Sequence, residues 1–413
     1  MAQNLRYEGF RSWRELVERL EAQAEQAEGA ERARLLLRAG MLRETRLGEQ
    51  SEANKAYKEA YRNDKQCYAA LRGARRLLRL RGRVDEKLLQ LFEIEFKALK
   101  KAQRTAEGPV VQAAAAHLDY GWALLIQGSP AKAVAEFKQA LYHDPEDPEI
   151  QGLVKDFAEE TDPGSRVAEL RAAAATALAA GQRTKAARLL LRAAAVAVVA
   201  GADDSARGDL LHAAALDPDD DTALLYLETR TFREPPSPAQ IEKLAREVID
   251  RADDERTRGR LAHALACRLL AQVEDPGAAV PLHEVAFELQ PDDERTFEFL
   301  LLLYKVRGEK QRVRDLAARA GAAADAVDAR AYYLSSGALV LAREMGAPEL
   351  AGPLAALLAE TAPDHPALAE LAAAGVVAEK RALPEPEPEP APPPEAVPAA
   401  APEAAPTPAE PEV

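Results

Sequence analysis

The stretch HLDYGWALLIQGSPAKAVAEFKQALYHDP, residues 117–145, decides the fold. From Pro130 to His143 it places Ala133, Val134, Phe137, Ala140 and Leu141 at i, i+1, i+4, i+7 and i+8. That spacing is one apolar face of a helix. Gly128-Ser129-Pro130 interrupts the chain upstream, and Asp144-Pro145 stops it downstream, where proline cannot continue a helix. The spacing predicts two antiparallel helices joined at Gly128. Gly121 and Ala133 are small enough for the backbones to approach, and Leu124 and Phe137 are large enough to fill the wedge between them.

Working outward, the same punctuation returns at a fixed step. FKQALYHDP ends at Pro145, LLHAAALDP at Pro218, HEVAFELQP at Pro291 and AALLAETAP at Pro363, with spacings of 73, 73 and 72 residues. The inter-helix turn positions Gly128, Gly201, Glu274 and Gly346 keep that step. A period of 73 is about twice the ~34 residues of a helix–turn–helix repeat, so each period holds four helices. The chain as a whole then contains about twenty helices with short connections, and no segment alternates as a strand does. Ser12-Trp13-Arg14-Glu15 reads as a capping box opening a helix.

Composition agrees. Aromatic residues are 5% of the 413 and Ala, Leu, Arg and Glu dominate, a mixture that favours helices. The net charge of -14 conceals a split. Residues 1–105 carry 24 Lys+Arg against 16 Asp+Glu, so the acidic excess lies wholly in the remainder. A split of this kind points to a polar partner for the N-terminal part, or to self-association between the two ends. From Ala382 the sequence has 12 prolines, seven glutamates and no basic residue, too few apolar groups to order itself. A disordered, partly polyproline-II tail is expected there.

The residues of 117–145 resemble the tetratricopeptide repeat (TPR), whose pattern is W-x2-L-G-x2-Y, then A-x3-F, then P. His117, Tyr120, Gly121, Leu124, Ala133, Phe137 and Pro145 stand in those slots. Looser matches place Gly48, Ala53, Tyr57 and Ala60 in residues 34–67, and Cys267, Ala279, Ala286 and Pro291 in residues 260–293. Gly346, Ala351 and Ala355 do the same before Pro363. Residues 68–101 depart from the pattern, with Arg75 and Lys87 in the small slots. The resemblance is to a helical repeat protein of bacterial type. It implies an all-α fold, a right-handed α-solenoid of antiparallel helix pairs whose concave groove is lined by the first helix of each pair. It also implies recognition of peptides or partner domains. One subgroup of the family grips terminal carboxylates with Lys and Asn; the matching positions here are Arg38 and Leu42, so that clamp is absent. The expected organisation is a capping helix at 1–30, basic repeats at 31–105, repeats of the 73-residue double period with a C-terminal cap at 106–379, and the tail at 380–413.

Catalytic and metal chemistry find no foothold. The six histidines fall one to a helix, without HxxxH or HExxH spacing, and read as packing residues. Cys67 and Cys267 lie 200 residues apart, which excludes a CxxC pair and suits a reducing, cytoplasmic compartment. There is no phosphate loop, dinucleotide fingerprint or GxSxG elbow. The most apolar run, Ala193–Ala202, is too short to span a bilayer. No enzyme activity, metal or cofactor is expected.

One constellation stands out. Arg72, Arg75, Arg76 and Arg79 follow i, i+3, i+4, i+7 along one helix face, with Arg62, Lys65, Arg81 and Arg83 around them. A solvated face usually mixes signs in i, i+4 pairs, and this one does not. In the repeat frame Arg72, Arg76 and Arg79 fall on the groove side with Arg38, and Leu118, Trp122 and Leu125 follow in the next unit. The expected function is a protein–protein interaction scaffold whose groove, basic and apolar in its N-terminal half, takes an acidic partner segment with apolar anchors. The alternatives are nucleic-acid binding through the basic N-terminal third, disfavoured by the overall acidity, and an autoinhibited adaptor whose own acidic tail occupies the Arg stripe.

Overall fold

The structure is a computed structural model that describes residues 2–378 except 83, 104–110, 159–161, 233 and 274–275, and leaves undescribed the side chains of 2–12, 101–103, 111 and 276. The tail at 380–413, Arg83 and the turn residue Glu274 therefore lie outside the described residues. Among the described residues the chain is all helix, with twenty α-helices and no strand.

The N-terminal helices are α1 (Ala2–Glu25), α2 (Gly29–Thr45), α3 (Gln50–Asn63), α4 (Tyr68–Arg79) and α5 (Glu86–Gln103). Next come α6 (Val111–Gln127), α7 (Pro130–His143), α8 (Pro148–Asp156) and α9 (Pro163–Ala179). The following period holds α10 (Arg183–Val199), α11 (Asp203–Leu216), α12 (Thr222–Thr231) and α13 (Pro238–Ile249). The third holds α14 (Glu255–Gln272), α15 (Val280–Leu289), α16 (Glu294–Arg307) and α17 (Lys310–Ala323). The chain closes with α18 (Val327–Leu339), α19 (Pro348–Thr361) and α20 (Ala367–Ala373).

These boundaries follow local chemistry. Pro130, Pro148, Pro163, Pro238 and Pro348 open helices, where their missing N–H costs nothing. Asp147, Asp162, Asp254 and Asp293 accept backbone N–H groups of the following turn. Ser237 and Gln240 form a complete capping box. Ser12 does not. The first helix runs through it from Ala2, because the residues before it continue a helical pattern rather than break it.

The hairpins α6–α7, α10–α11, α14–α15 and α18–α19 are the repeating unit, and each stacks on its neighbours along the chain. This is a solenoid of antiparallel, TPR-like helix pairs. Gly128 turns the first of them at φ 90°, a conformation a β-carbon would strain. Between the pairs, α8, α12 and α16 occupy equivalent places. A continuous apolar core runs from Trp122 to Ala286, and a second from Val280 to Val376. The first four helices instead hold two small cores of their own, around Tyr57 and around Leu20. Among the described side chains, the contacts Trp13–Glu298, Arg46–Glu298 and Arg79–Thr222 to distant helices are polar; α1 packs across onto α18, and α6 packs onto α12. The helical path closes on itself.

Candidate partner-binding cleft

The arginine stripe of α4 divides according to helix geometry. Arg75 turns inward, is 3% exposed, pairs with Glu95 of α5, and lies 4.2 Å above the Phe92 ring. Arg76 stays half exposed and grips Glu44 of α2 with both Nε and Nη2, each at 2.6 Å. Tyr57 donates its hydroxyl to the same carboxylate at 2.5 Å. Arg72 is half exposed, its Nε 3.6 Å from Glu95. Arg79 reaches furthest. Its Nη2 donates to Thr222 Oγ1 at 2.8 Å and lies 2.6 Å from Asp221, both at the start of α12.

That crossing creates a cleft of about 530 Å³. One wall is Arg72, Arg75, Arg76 and Arg79; the floor includes Phe92, Leu118, Trp122 and Leu191. The opposite wall is the loop Asp217–Thr222, with Glu149 and Arg188 at the side. Arg188 donates to Glu149 at 2.6 Å, and Arg260 holds Asp219 from the far side at 2.8 Å. Burial pushes the Asp221 carboxyl up, but Arg79 and Arg268 outweigh it and hold the group below the ordinary carboxylate range. The cleft is thus of mixed sign, with ion pairs on its walls and half-exposed guanidinium groups at its mouth.

Of the seven residues singled out in the sequence, five line this cleft: Arg72, Arg76, Arg79, Leu118 and Trp122. Arg38 is exposed on α2 and is not part of the lining. Leu125 is 2% exposed, belongs to the core and is not part of the lining. Trp122 shows the cleft only an edge: it is 7% exposed and packs edge-on to Phe137, with ring centroids 5.9 Å apart. An open apolar patch of Leu118, Trp122 and Leu125 is therefore not what the helix presents; Leu118 alone is half-buried. The acidic wall escaped sequence reasoning, because Asp217–Asp221 looks locally like a helix-ending turn followed by N-terminal acids. The charge split between the two parts of the chain was the signal for it.

Two histidines that the sequence separates by 20 positions also meet. His283 is fully buried, stacked on Phe299 at 5.3 Å, with His263 edge-on at 5.3 Å. Among the described residues no group of three or more His, Cys, Asp or Glu is arranged to hold a metal ion. No described helix is long and apolar enough to cross a membrane.

No family model matches the sequence, and no curated protein does. Among solved structures the chain is similar to one described as the crystal structure of the APC/C hetero-tetramer Cut9-Hcn1. The two share 16% identity over 84% of this chain and 76% of that one, with a TM-score of 0.30. A likeness that low carries no argument, and the helical-repeat reading rests on the chain's own hairpins and period.

Proposed function

We propose that this chain is a non-catalytic interaction scaffold of the cytoplasm that holds a partner protein's segment in the cleft between α4 and the Asp217–Thr222 loop. The observation that carries the reading is the pair of half-exposed guanidinium groups at the mouth, Arg72 and Arg76, above a narrow apolar floor at Leu118. Half-exposed positive charge at the mouth attracts carboxylates, so the favoured segment is acidic with an apolar anchor. The anchor is small, since most of the floor is already packed. Binding to nucleic acid is the weaker reading, because the chain carries a net charge of -14.

Selection of a phage-displayed random-peptide library against the full-length protein tests this. The parent should enrich peptides that carry Asp or Glu beside a small apolar residue, and Arg72→Gln/Arg76→Gln should weaken that enrichment. Equal enrichment on both proteins would remove the cleft from the account.

A further inference from the structure

The equivalent helices α8, α12 and α16 each bury one carboxylate: Asp156, Glu228 and Glu298. Each is met by the lead helix of the next hairpin. Arg192 of α10 donates Nε to Asp156 Oδ2 at 2.6 Å and Nη2 to Oδ1 at 3.0 Å. Arg268 of α14 donates Nε to Glu228 Oε2 at 2.8 Å. The register slips between periods, but the arrangement recurs: a buried acid on the short helix, an arginine on the helix stacked over it.

The third copy lacks its arginine. At that place α18 offers Tyr332, whose hydroxyl donates to Glu298 Oε1 at 2.8 Å. The helix's own arginine, Arg330, is turned away to the carbonyls of Gly321 and Ala324. A carboxylate 1% exposed is costly without a countercharge. The missing groups arrive from the other end of the chain. Trp13 donates its indole N–H to Glu298 Oε1 at 3.1 Å across 285 residues, and Arg46 lies 3.6 Å from both Glu298 and Glu294. Arg46 in turn sits 4.8 Å over the Trp13 ring, so the two form one unit.

We propose that Glu298 is the anchor that closes the helical path, with Trp13 and Arg46 standing in for the arginine that α18 does not supply, and that this closure holds the two walls of the cleft together. The other crossing contacts are of the same kind. Arg79 bonds Thr222 and Asp221, and Gln272 donates to the Leu80 carbonyl at 3.0 Å. Among the described side chains no buried apolar cluster joins the first two helices to α16 or α18, and α4 reaches the α12 core only through Leu78 and its neighbours Val84, Leu89 and Tyr120. The polar contacts therefore weigh heavily in whether the path is open or shut. The inference deepens the cleft reading by naming what controls it, since a cleft whose walls come from α4 and α12 exists only in the closed form.

Small-angle scattering and amide hydrogen exchange on the full-length protein, with no ligand present, test the inference. Arg46→Glu sets a carboxylate against Glu294 and Glu298 on a partly exposed surface, and Arg46→Glu/Trp13→Phe removes the indole donor as well. Both should keep the parent's far-UV circular dichroism while the radius of gyration rises. Exchange should quicken at least tenfold in residues 13–45 and also in 76–82 and 222–231. Raising salt to 1 M should move the parent in the same direction. Parent-like scattering and exchange in the double variant would overturn the anchor. Faster exchange confined to 13–45 would overturn its link to the cleft. Because neither readout uses a peptide, failure here is distinguishable from failure of the peptide selection.

Discussion

The ring of Phe137 lies against the Cα of Gly121 across the α6–α7 hairpin, in the volume that a side chain at position 121 would need. Phe137 is fully buried, so it has nowhere to retreat. Gly121→Ala should therefore overpack the hairpin and cost roughly 1–3 kcal/mol, despite alanine's better helix propensity. Urea unfolding of Gly121→Ala and of Gly121→Ala/Phe137→Leu checks it. The double variant should recover part of the loss, and a single variant as stable as the parent would contradict the close approach.

Arg268 and Glu228 form a pair with almost no exposure on either side. Removing one partner leaves the other charged and dry. Arg268→Met should destabilise by about 3–5 kcal/mol, whereas Arg268→Met/Glu228→Leu should regain most of that, because paired burial is itself poorly rewarded. Thermal melts of the three proteins decide. If the double variant is as weak as the single one, the arginine is holding the fold through contacts other than Glu228.

What the sequence discloses and what it hides follow from range. The period was readable because Pro145, Pro218, Pro291 and Pro363 each stand just beyond the second helix of a hairpin, a local stop signal repeated in register. Gly121 and Phe137 were readable because their slots lie within one hairpin. The inward turn of Arg75 was not, since its partner Glu95 sits on the next helix and the stripe spacing is the same for either face. Trp122 and Leu125 misled for a related reason. A lead helix packs on both sides, and helical periodicity alone does not say which apolar face is covered. The second wall of the cleft and the Trp13–Glu298 contact depend on closure between distant parts of the chain, which no local pattern encodes.

Acid should weaken the fold through the buried histidine pair. Burial lowers His263 to about 4, with Asp293 pulling it part of the way back, and burial beside His263 lowers His283 well below its ordinary value. Both are neutral in the folded protein, while in the unfolded chain they titrate near 6.5. Between those values the unfolded state binds more protons, so stability falls as pH drops from about 6.5 toward 4, by roughly 3 kcal/mol for His263 at most. Among the described residues neither ring nitrogen of His283 has a hydrogen-bond partner. His283→Phe should therefore remove its share of the acid sensitivity and also raise stability at neutral pH, by about 1–3 kcal/mol. Melting temperatures between pH 4 and 8 test both claims; parallel pH profiles for parent and variant would refute the first.

The cleft makes the sharpest separation between stability and binding. Trp122 is part of the continuous core, so Trp122→Ala should cost about 3–5 kcal/mol of stability and disturb binding only by loosening the floor. Arg72 and Arg76 are half exposed, and when they are neutralised Arg75 still meets Glu95 and the Tyr57 hydroxyl still meets Glu44, so stability should change less. Their effect belongs to encounter. Exposed guanidinium groups steer an acidic segment toward the opening, a contribution that appears in the association rate and is screened by salt. For a peptide selected on the parent, Arg72→Gln/Arg76→Gln should slow association several-fold, on the order of 3–10, and flatten its salt dependence, with little change in dissociation. Asp219→Asn, on the opposite wall, should act in the other sense by removing a charge that repels such a peptide. Stopped-flow fluorescence at 50 and 300 mM salt measures all three rates. If the arginine variant instead dissociates faster with unchanged association, the guanidinium groups make close contacts in the complex rather than guiding its formation. If neither wall matters, the segment binds elsewhere on the solenoid.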